Sequence, residues 1–445
     1  MKSHVTSIPL LLIALSCNTA EPPPPPPPPP PYVRSIELTG DAGVMEIWLR
    51  VQFTDTTHPR AFTLFRDGES ILSTTLLTDD TLLVDNSLAP NSTYSYKAFR
   101  TRDTTMVDSS LQVQLTTMDT TKHEFDWTIE LLGDASGSVL TDVAIVSPND
   151  IWAAGEMFLR DSTGQIDPIP YNAARWDGMQ WNLLRILFPV FCGQSTFPAA
   201  TSAVFAFNAN DVWIAGAGII IMQWNGSTFT PLCIPQSVGT GTIKKIWGSS
   251  PNSVYCVGNN GTIAYYNGAT WQRIESGTTL HVTDIYGARE PYTDDLEIIA
   301  VAADQFVSFD RAILWIDGVT VTHLPSTPIN YSLSGIWFIP GRRYFVVGSG
   351  IYEKTALGET NWRNGPLQIT TFYTNAIRGS ALNDAYVVGA YGEFLHFNGI
   401  TWRSFMSQTG LANGQYYAVD VKDNLVVAVG HGNPRAAVAR GIRTP

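Results

Sequence analysis

A chain of 445 residues with 44% hydrophobic content has the length for two or three domains and enough apolar material for packed cores. Only 15% of residues are charged, while Gly, Thr, Trp and Tyr are plentiful, a balance that favours short strands and tight turns and predicts an all-β protein. The formal net charge of -12, with no local Lys/Arg cluster to offset it, works against a phosphate backbone or an anionic lipid surface and excludes nucleic acid as the expected partner.

Lys2 and His4 give a short polar start, and Val5 to Ser16 is an apolar stretch too short to span a bilayer, the pattern of a secretory signal peptide. It runs into Ile13-Ala14-Leu15-Ser16-Cys17, which resembles the lipobox of bacterial lipoproteins. The resemblance implies that residues 1–17 comprise the signal peptide and a lipidated Cys17 that heads the mature chain. Ala14 stands where that motif usually carries leucine, which leaves an ordinary secreted protein cleaved near Ala20 as the alternative. Asn18, in place of the aspartate associated with inner-membrane retention, points the resemblance to the outer membrane, on its periplasmic or its outer side. Residues 18–31 form a stalk: the run Pro22 to Pro31 cannot donate backbone hydrogen bonds and is expected to span roughly 30 Å as polyproline II.

Residues 32–117 alternate apolar and polar positions in short runs, as in Glu46-Ile47-Trp48-Leu49-Arg50-Val51-Gln52-Phe53, and predict a half-buried sheet. Leu88-Ala89-Pro90-Asn91-Ser92-Thr93-Tyr94 resembles the tyrosine corner of fibronectin type III domains, in which a Tyr hydroxyl bonds back to the preceding loop. The resemblance implies a β-sandwich, with Trp48 as its buried core tryptophan and Asp67-Gly68 as a hairpin turn.

Residues 122–445 contain an internal repeat, clearest in Ile246-Trp247-Gly248-Ser249-Ser250-Pro251-Asn252-Ser253-Val254-Tyr255-Cys256-Val257-Gly258 followed by Asn267-Gly268-Ala269-Thr270-Trp271. Each unit reads as four strands, a to d, with a glycine ending strand b and an Asn-Gly or Asp-Gly turn, expected to be a two-residue type I′ hairpin, joining c to d. The strand-b glycine recurs at Gly155, Gly216, Gly258, Gly348, Gly389 and Gly430, and the interval between Gly258 and Gly348 holds two units, with Ala303 near its middle. Seven units of this kind predict a seven-bladed β-propeller. The last unit lacks a strand d, and Phe125-Asp126-Trp127-Thr128-Ile129-Glu130 is a strand d with nothing before it, so residues 125–130 are expected to close the ring. The repeats resemble those of secreted bacterial propellers, a group that includes photosystem assembly factors and Asp-box sialidases; the resemblance speaks to architecture and hardly to function.

Sialidase-like hydrolysis of a surface polysaccharide is the enzyme alternative, and it needs several arginines converging on a substrate carboxylate. The residue eleven before each strand-b glycine gives Ala144, Phe205, Trp247, Trp337, Arg378 and Val419, with Tyr286 from the irregular fourth unit, so a single arginine is on offer. The aromatics read as packing between blades, and Arg378 as either packing or a ligand contact in the channel. Asp161 to Asp167 has acidic side chains at loosely calcium-like spacing, but a solvated loop tip is the plainer reading, and the scattered histidines show no ligand spacing; no metal and no cofactor are expected. Cys192 and Cys233 follow strand d in consecutive units and are candidates for a disulfide, whereas Cys256 reads as a small core residue. The first unit carries two long insertions, 156–170 and 183–200, whose Phe158, Arg160 and Phe191 are the candidate ligand contacts, with Phe188 beside them. The expected function is a non-catalytic lipoprotein whose propeller binds a protein or glycan at the cell envelope, held to the membrane through its lipid alone.

Overall fold

The computed structural model describes residues 33–444 apart from 55–59, 103–104, 194, 217, 306–308 and 366–368, so Cys17 and the proline run lie outside the described residues. Strands dominate, as the composition requires. Ile36–Ala42, Glu46–Phe53 and Asp80–Asn86 form a three-stranded sheet facing a five-stranded one built on Ala61–Arg66 and Thr93–Arg102. One core fills the space between them, with Ile47, Leu49, Val51 and Phe53 from one sheet against Phe62, Leu64, Tyr96 and Ala98 from the other. The Tyr94 hydroxyl accepts a hydrogen bond from the Ala89 amide at 2.9 Å, the corner that the sequence pattern implied. Trp48 is a correction: alternation along its strand turns it to the opposite face from Ile47 and Leu49, and it is 1% exposed because it lies under Arg342 of the next domain.

From Phe125 onward the described residues form seven four-stranded antiparallel sheets. Their first strands are Val139–Ser147, Thr201–Asn208, Ile243–Ser250, Val282–Arg289, Leu333–Ile339, Thr374–Ala381 and Gln415–Lys422. Each lies against the first strands of its two neighbours, and the seventh lies against the first. The seventh sheet takes its outer strand from the start of the domain: Phe125–Leu132 pairs with Ala436–Arg443 in continuous register. The first and last sheets accordingly share one core, with Val143 and Trp176 packed among Val427, Val429 and Val438.

The glycine that ends strand b has a steric cause. Strand a carries a β-bulge near its start in all seven sheets, as between Leu140 and Asp142 or Ile243 and Lys245. The bulge drives a strand-a carbonyl toward strand b, so that a Cβ at Gly155, Gly258 or Gly430 would stand 2.1, 2.1 or 1.9 Å from that oxygen. The c–d turns depart from expectation. Tyr266 pairs with Trp271, so the connection is four residues long, and Asn267 caps it by accepting from the Ala269 and Thr270 amides. Only Gly268 has positive φ there, whereas Asp67-Gly68 in the sandwich, with φ of 51° and 90°, is a two-residue hairpin turn; among the c–d turns the fourth alone closes in two residues, Asp317 pairing with Thr320.

Candidate functional site

The first strands enclose a central cavity of about 610 Å³, lined by residues from every sheet but carrying its charges on few of them. Asp142 and Asp284 each bridge two sheets. Asp142 accepts from the Val143 amide at 3.0 Å and the Val204 amide at 3.0 Å, and Asp284 accepts from Ile285 and Ile336, both at 3.0 Å. Each also holds a cation: the Lys245 ammonium lies 2.5 Å from Asp142, and the Arg378 guanidinium meets both oxygens of Asp284 at 2.7 and 2.8 Å. Arg378 further donates to the carbonyls of Ile336 and Ile377, so its donors are engaged within the ring even though it lines the cavity.

Asp420 is the residue that reading the repeat by count misses. In the seventh sheet the inner position equivalent to Trp247 is Asp420, paired with Val427, and not Val419. The first, second, third and sixth sheets have a second bulge just before the a–b turn, and the seventh lacks it, so its hairpin is one residue shorter and the count slips by one. The Asp420 carboxylate accepts from the Ile145 amide at 2.7 Å and the Val421 amide at 2.9 Å, which ties the last sheet to the first. Burial pushes its carboxyl above the usual range, against those two hydrogen bonds and the charges of Lys245 and Arg378. The signal for all three acids is a charged residue inside an otherwise apolar strand a.

At the cavity mouth the bulged residues are Thr141, Ser202, Lys244, Thr283, Ser334, Asn375 and Tyr417, one from each sheet. Five of them stitch the ring by donating to a first-strand carbonyl of the next sheet: Ser202 to Ile243 at 2.7 Å, Ser334 to Thr374 at 2.6 Å and Asn375 to Tyr416 at 2.7 Å, with Thr141 and Thr283 doing the same at longer range. Lys244 and Tyr417 break this rule. Lys244 is exposed at the mouth, and the Tyr417 hydroxyl is occupied by Gln415 while its ring stacks on His431. Beside Lys244, His281 accepts the Asn260 amide on Nδ1, which leaves its Nε2 to carry the proton when neutral.

The insertions of the first sheet are folded against the ring and give a mixed result for the expected contacts. Phe158 is half-buried against Gly137, and its amide donates to Ser138. Arg160 is exposed and donates to the Gly164 carbonyl of its own loop. Asp161 caps that loop by accepting from Thr163 and Gln165, and Asp167 holds Arg185. Among the described residues no group of three or more potential ligands is placed to hold a metal ion. Phe188 is fully buried over Gly216, whereas Phe191 is 90% exposed on the segment that the structure joins to the second sheet through Cys192–Cys233. Cys256 is buried and unpaired, and burial pushes its thiol up.

A ring of four-stranded sheets around an axial cavity is the β-propeller class. The chain is similar in structure to one described as YCF48 bound to D1 peptide, at 14% identity over 73% of this chain and 100% of that one, with a TM-score of 0.53. YCF48 from Cyanidioschyzon merolae matches 70% of this chain and 98% of its own at 14% identity with a TM-score of 0.49, and the WD40 propeller domain of Doa1 matches 71% and 97% at 12% identity with a TM-score of 0.48. No protein family profile and no curated protein sequence matches the chain.

Proposed function

We propose that this chain is a lipid-anchored, non-catalytic protein of the cell envelope whose propeller binds a protein partner at the mouth of its ring. The seven sheets are the seven blades of that ring, closed by Phe125–Leu132, and the preceding two-sheet unit is a fibronectin type III-like spacer, a reading supported by the Tyr94 corner. Lipidation at Cys17 and the proline stalk would hold both off the outer membrane.

The observation that carries the binding site is the broken rule at the mouth. Five bulged side chains stabilise the ring, and Lys244 and Tyr417 give up that role to present a long cation and an aromatic ring to the cavity opening. A propeller of the same fold bound to a peptide supports a polypeptide as the occupant. The one arginine lining the cavity, Arg378, is engaged with Asp284, which supports binding over hydrolysis of an acidic sugar. The test is capture of envelope proteins by the full chain and by its Lys244→Glu and Tyr417→Ala variants. A stoichiometric protein retained by the wild type and lost by variants of unchanged melting temperature supports the reading; no such protein, or one retained by both variants, overturns it. Mass spectrometry of the mature N-terminus tests the anchor, which requires an acylated Cys17.

A further inference from the structure

The underside of the ring, where the a–b and c–d turns emerge, has a second kind of opening between adjacent blades. The same three aromatic positions meet at three junctions. Trp152 joins Trp224 and Phe229 between the first and second blades, with ring centroids 5.8, 6.2 and 4.9 Å apart. Trp213 joins Tyr266 and Trp271 between the second and third, and Phe345 joins Phe397 and Trp402 between the fifth and sixth. The triad is therefore a packing device of the repeat, and the copies differ in what surrounds them.

At the second–third junction the Trp213 indole donates to Asp211 at 2.8 Å, and Gln223 donates to the same oxygen. At the fifth–sixth junction the sandwich covers the triad: Met45 and Glu46 line the notch and Glu46 pairs with Arg343 at 2.5 Å. The first–second junction has neither arrangement. Asp150 stands where Asp211 does, but Arg175, in the place of Gln223, takes both of its oxygens at 2.7 and 3.0 Å. The indole nitrogen of Trp152, a residue 1% exposed, is left with no acceptor, and so is that of Trp224. A cavity of about 480 Å³ opens beside them, with Asn149, Asp177 and Asn182 at its rim and Phe229 in its wall. Buried donors without acceptors are rare because each forfeits the hydrogen bonds it had in water.

We propose that this notch is a saccharide-binding subsite that takes one or two pyranose rings of a neutral glycan, a site separate from the ring mouth. The flat C–H face of a pyranose matches an aromatic wall such as Trp224 and Phe229. Sugar hydroxyls both donate and accept, and the notch offers both: Arg175 Nη1 and the indoles donate, while the Asn149 amide accepts and Asp177, which already takes the Met179 and Gln180 amides on Oδ1 and the Asn182 side chain on Oδ2, adds its remaining lone pairs at the rim. An extended proline-rich segment has carbonyl acceptors and no backbone donors, and would leave Asp177 unused. Asp150 cancels the charge of Arg175 and leaves Asp177 as the formal charge at the rim, so a neutral sugar is favoured over an acidic one.

The test uses the full chain with four probes, cellobiose, maltose, N,N′-diacetylchitobiose and galactose, read by saturation-transfer NMR and tryptophan fluorescence, and decaproline as the competing ligand. At least one sugar is expected to bind saturably. Trp224→Phe keeps the ring and removes the indole donor, Asp177→Ala removes the rim acceptor, and each is expected to weaken binding about tenfold or more. Arg175→Gln recreates the second-blade arrangement, in which the aspartate accepts from the indole, and is expected to weaken binding without lowering the melting temperature. Lys244→Glu is expected to leave sugar binding unchanged, which separates this site from the one at the ring mouth. No saturable sugar, binding that survives both Trp224→Phe and Asp177→Ala, or decaproline binding in place of the sugars overturns the proposal.

Discussion

On the underside of the ring the turns of the first, second, third and sixth blades repeat one contact: the a–b turn asparagine, Asn149, Asn210, Asn252 or Asn383, packs on the c–d turn glycine, Gly178, Gly226, Gly268 or Gly399. The upper rim repeats its strand-a bulge in every sheet and the stitch to the next sheet in five, but its connections vary. Its b–c and d–a connections include the two long insertions of the first blade, the disulfide and the Lys244 and Tyr417 departures. The underside is also where the sandwich docks. Arg342, in the a–b turn of the fifth blade, is 0% exposed, pairs with Asp41 at 2.9 Å, and is stacked between Trp48 and Tyr292. The underside thus carries a covalently attached neighbour at the fifth blade, whose a–b turn departs from the repeated contact, while the long insertions and the disulfide are confined to the upper rim.

Deleting residues 125–132 should break both faces at once, since it strips the outer strand from the seventh blade; aggregation or loss of the cooperative melt is expected, and a monomer with unchanged melting would refute ring closure. Arg342→Ala should damage the underside alone, at a cost of about 3 kcal/mol, because Asp41 and Glu290 lose their shared cation in a sealed interface. Calorimetry should then resolve two transitions, and retention of one unshifted transition would show that the domains are not coupled through this residue. Replacing both Cys192 and Cys233 by Ser should destabilise the upper rim by about 2–4 kcal/mol by freeing a loop in the unfolded chain, and non-reducing peptide mapping of the wild type should recover the joined peptides.

A smaller effect tests the underside linker. His123 and His396 face each other with Nδ1 atoms 2.8 Å apart, and Thr121 donates to the Asn383 carbonyl beside them. Burial, then the neighbouring His396 and Arg403, lowers His123 to about 4, so the folded state holds it neutral. A lowered histidine contributes stability that is complete above about pH 6.5 and is lost as pH falls toward 4. Glu297, raised by burial to about 7, acts in the opposite sense, so the measurement is the difference between wild type and His123→Gln, which should shrink on acidification. Phe191→Ala should change the melt least, within about 0.5 kcal/mol, because the ring is 90% exposed; a larger loss would show that it packs as core.

The regular part of the molecule was legible because six of the seven sheets answer the strand-a bulge with a glycine on strand b, the fourth having Ala302 there, and the covered c–d turns carry another glycine, so sterics print a period into the sequence. Phe125 to Glu130 could be read as a displaced outer strand because it resembles Thr270 to Glu275 of the third unit and follows no strand a, b or c. The charged interior was harder to read: Asp142 and Asp284 share one position after the bulge but recur in only two sheets, and one absent bulge moved the inner position from Val419 to Asp420. Trp48 was misread because an alternating strand with both faces buried shows which residues are inside but not against what. Arg342 follows Pro340-Gly341 and looks like any exposed turn until the sandwich is laid over it. Of the site residues expected on the first blade, Phe191 is free, Arg160 serves its own loop and Phe158 packs against Gly137, distinctions that depend on loop paths and not on residue type.

The seam has a consequence in time. Glu130 and Arg440, joined at 2.9 Å, are 310 residues apart in the chain, so the outer strand of the last blade is the first to emerge and the last to be paired. Loop closure over such a separation is slow, and until it occurs both the first-made strand and the final inner strands present open edges. A chain without its last ten residues, which hold the strand Ala436–Arg443, would carry six finished blades and a gap, an aggregation-prone species that a protease could clear.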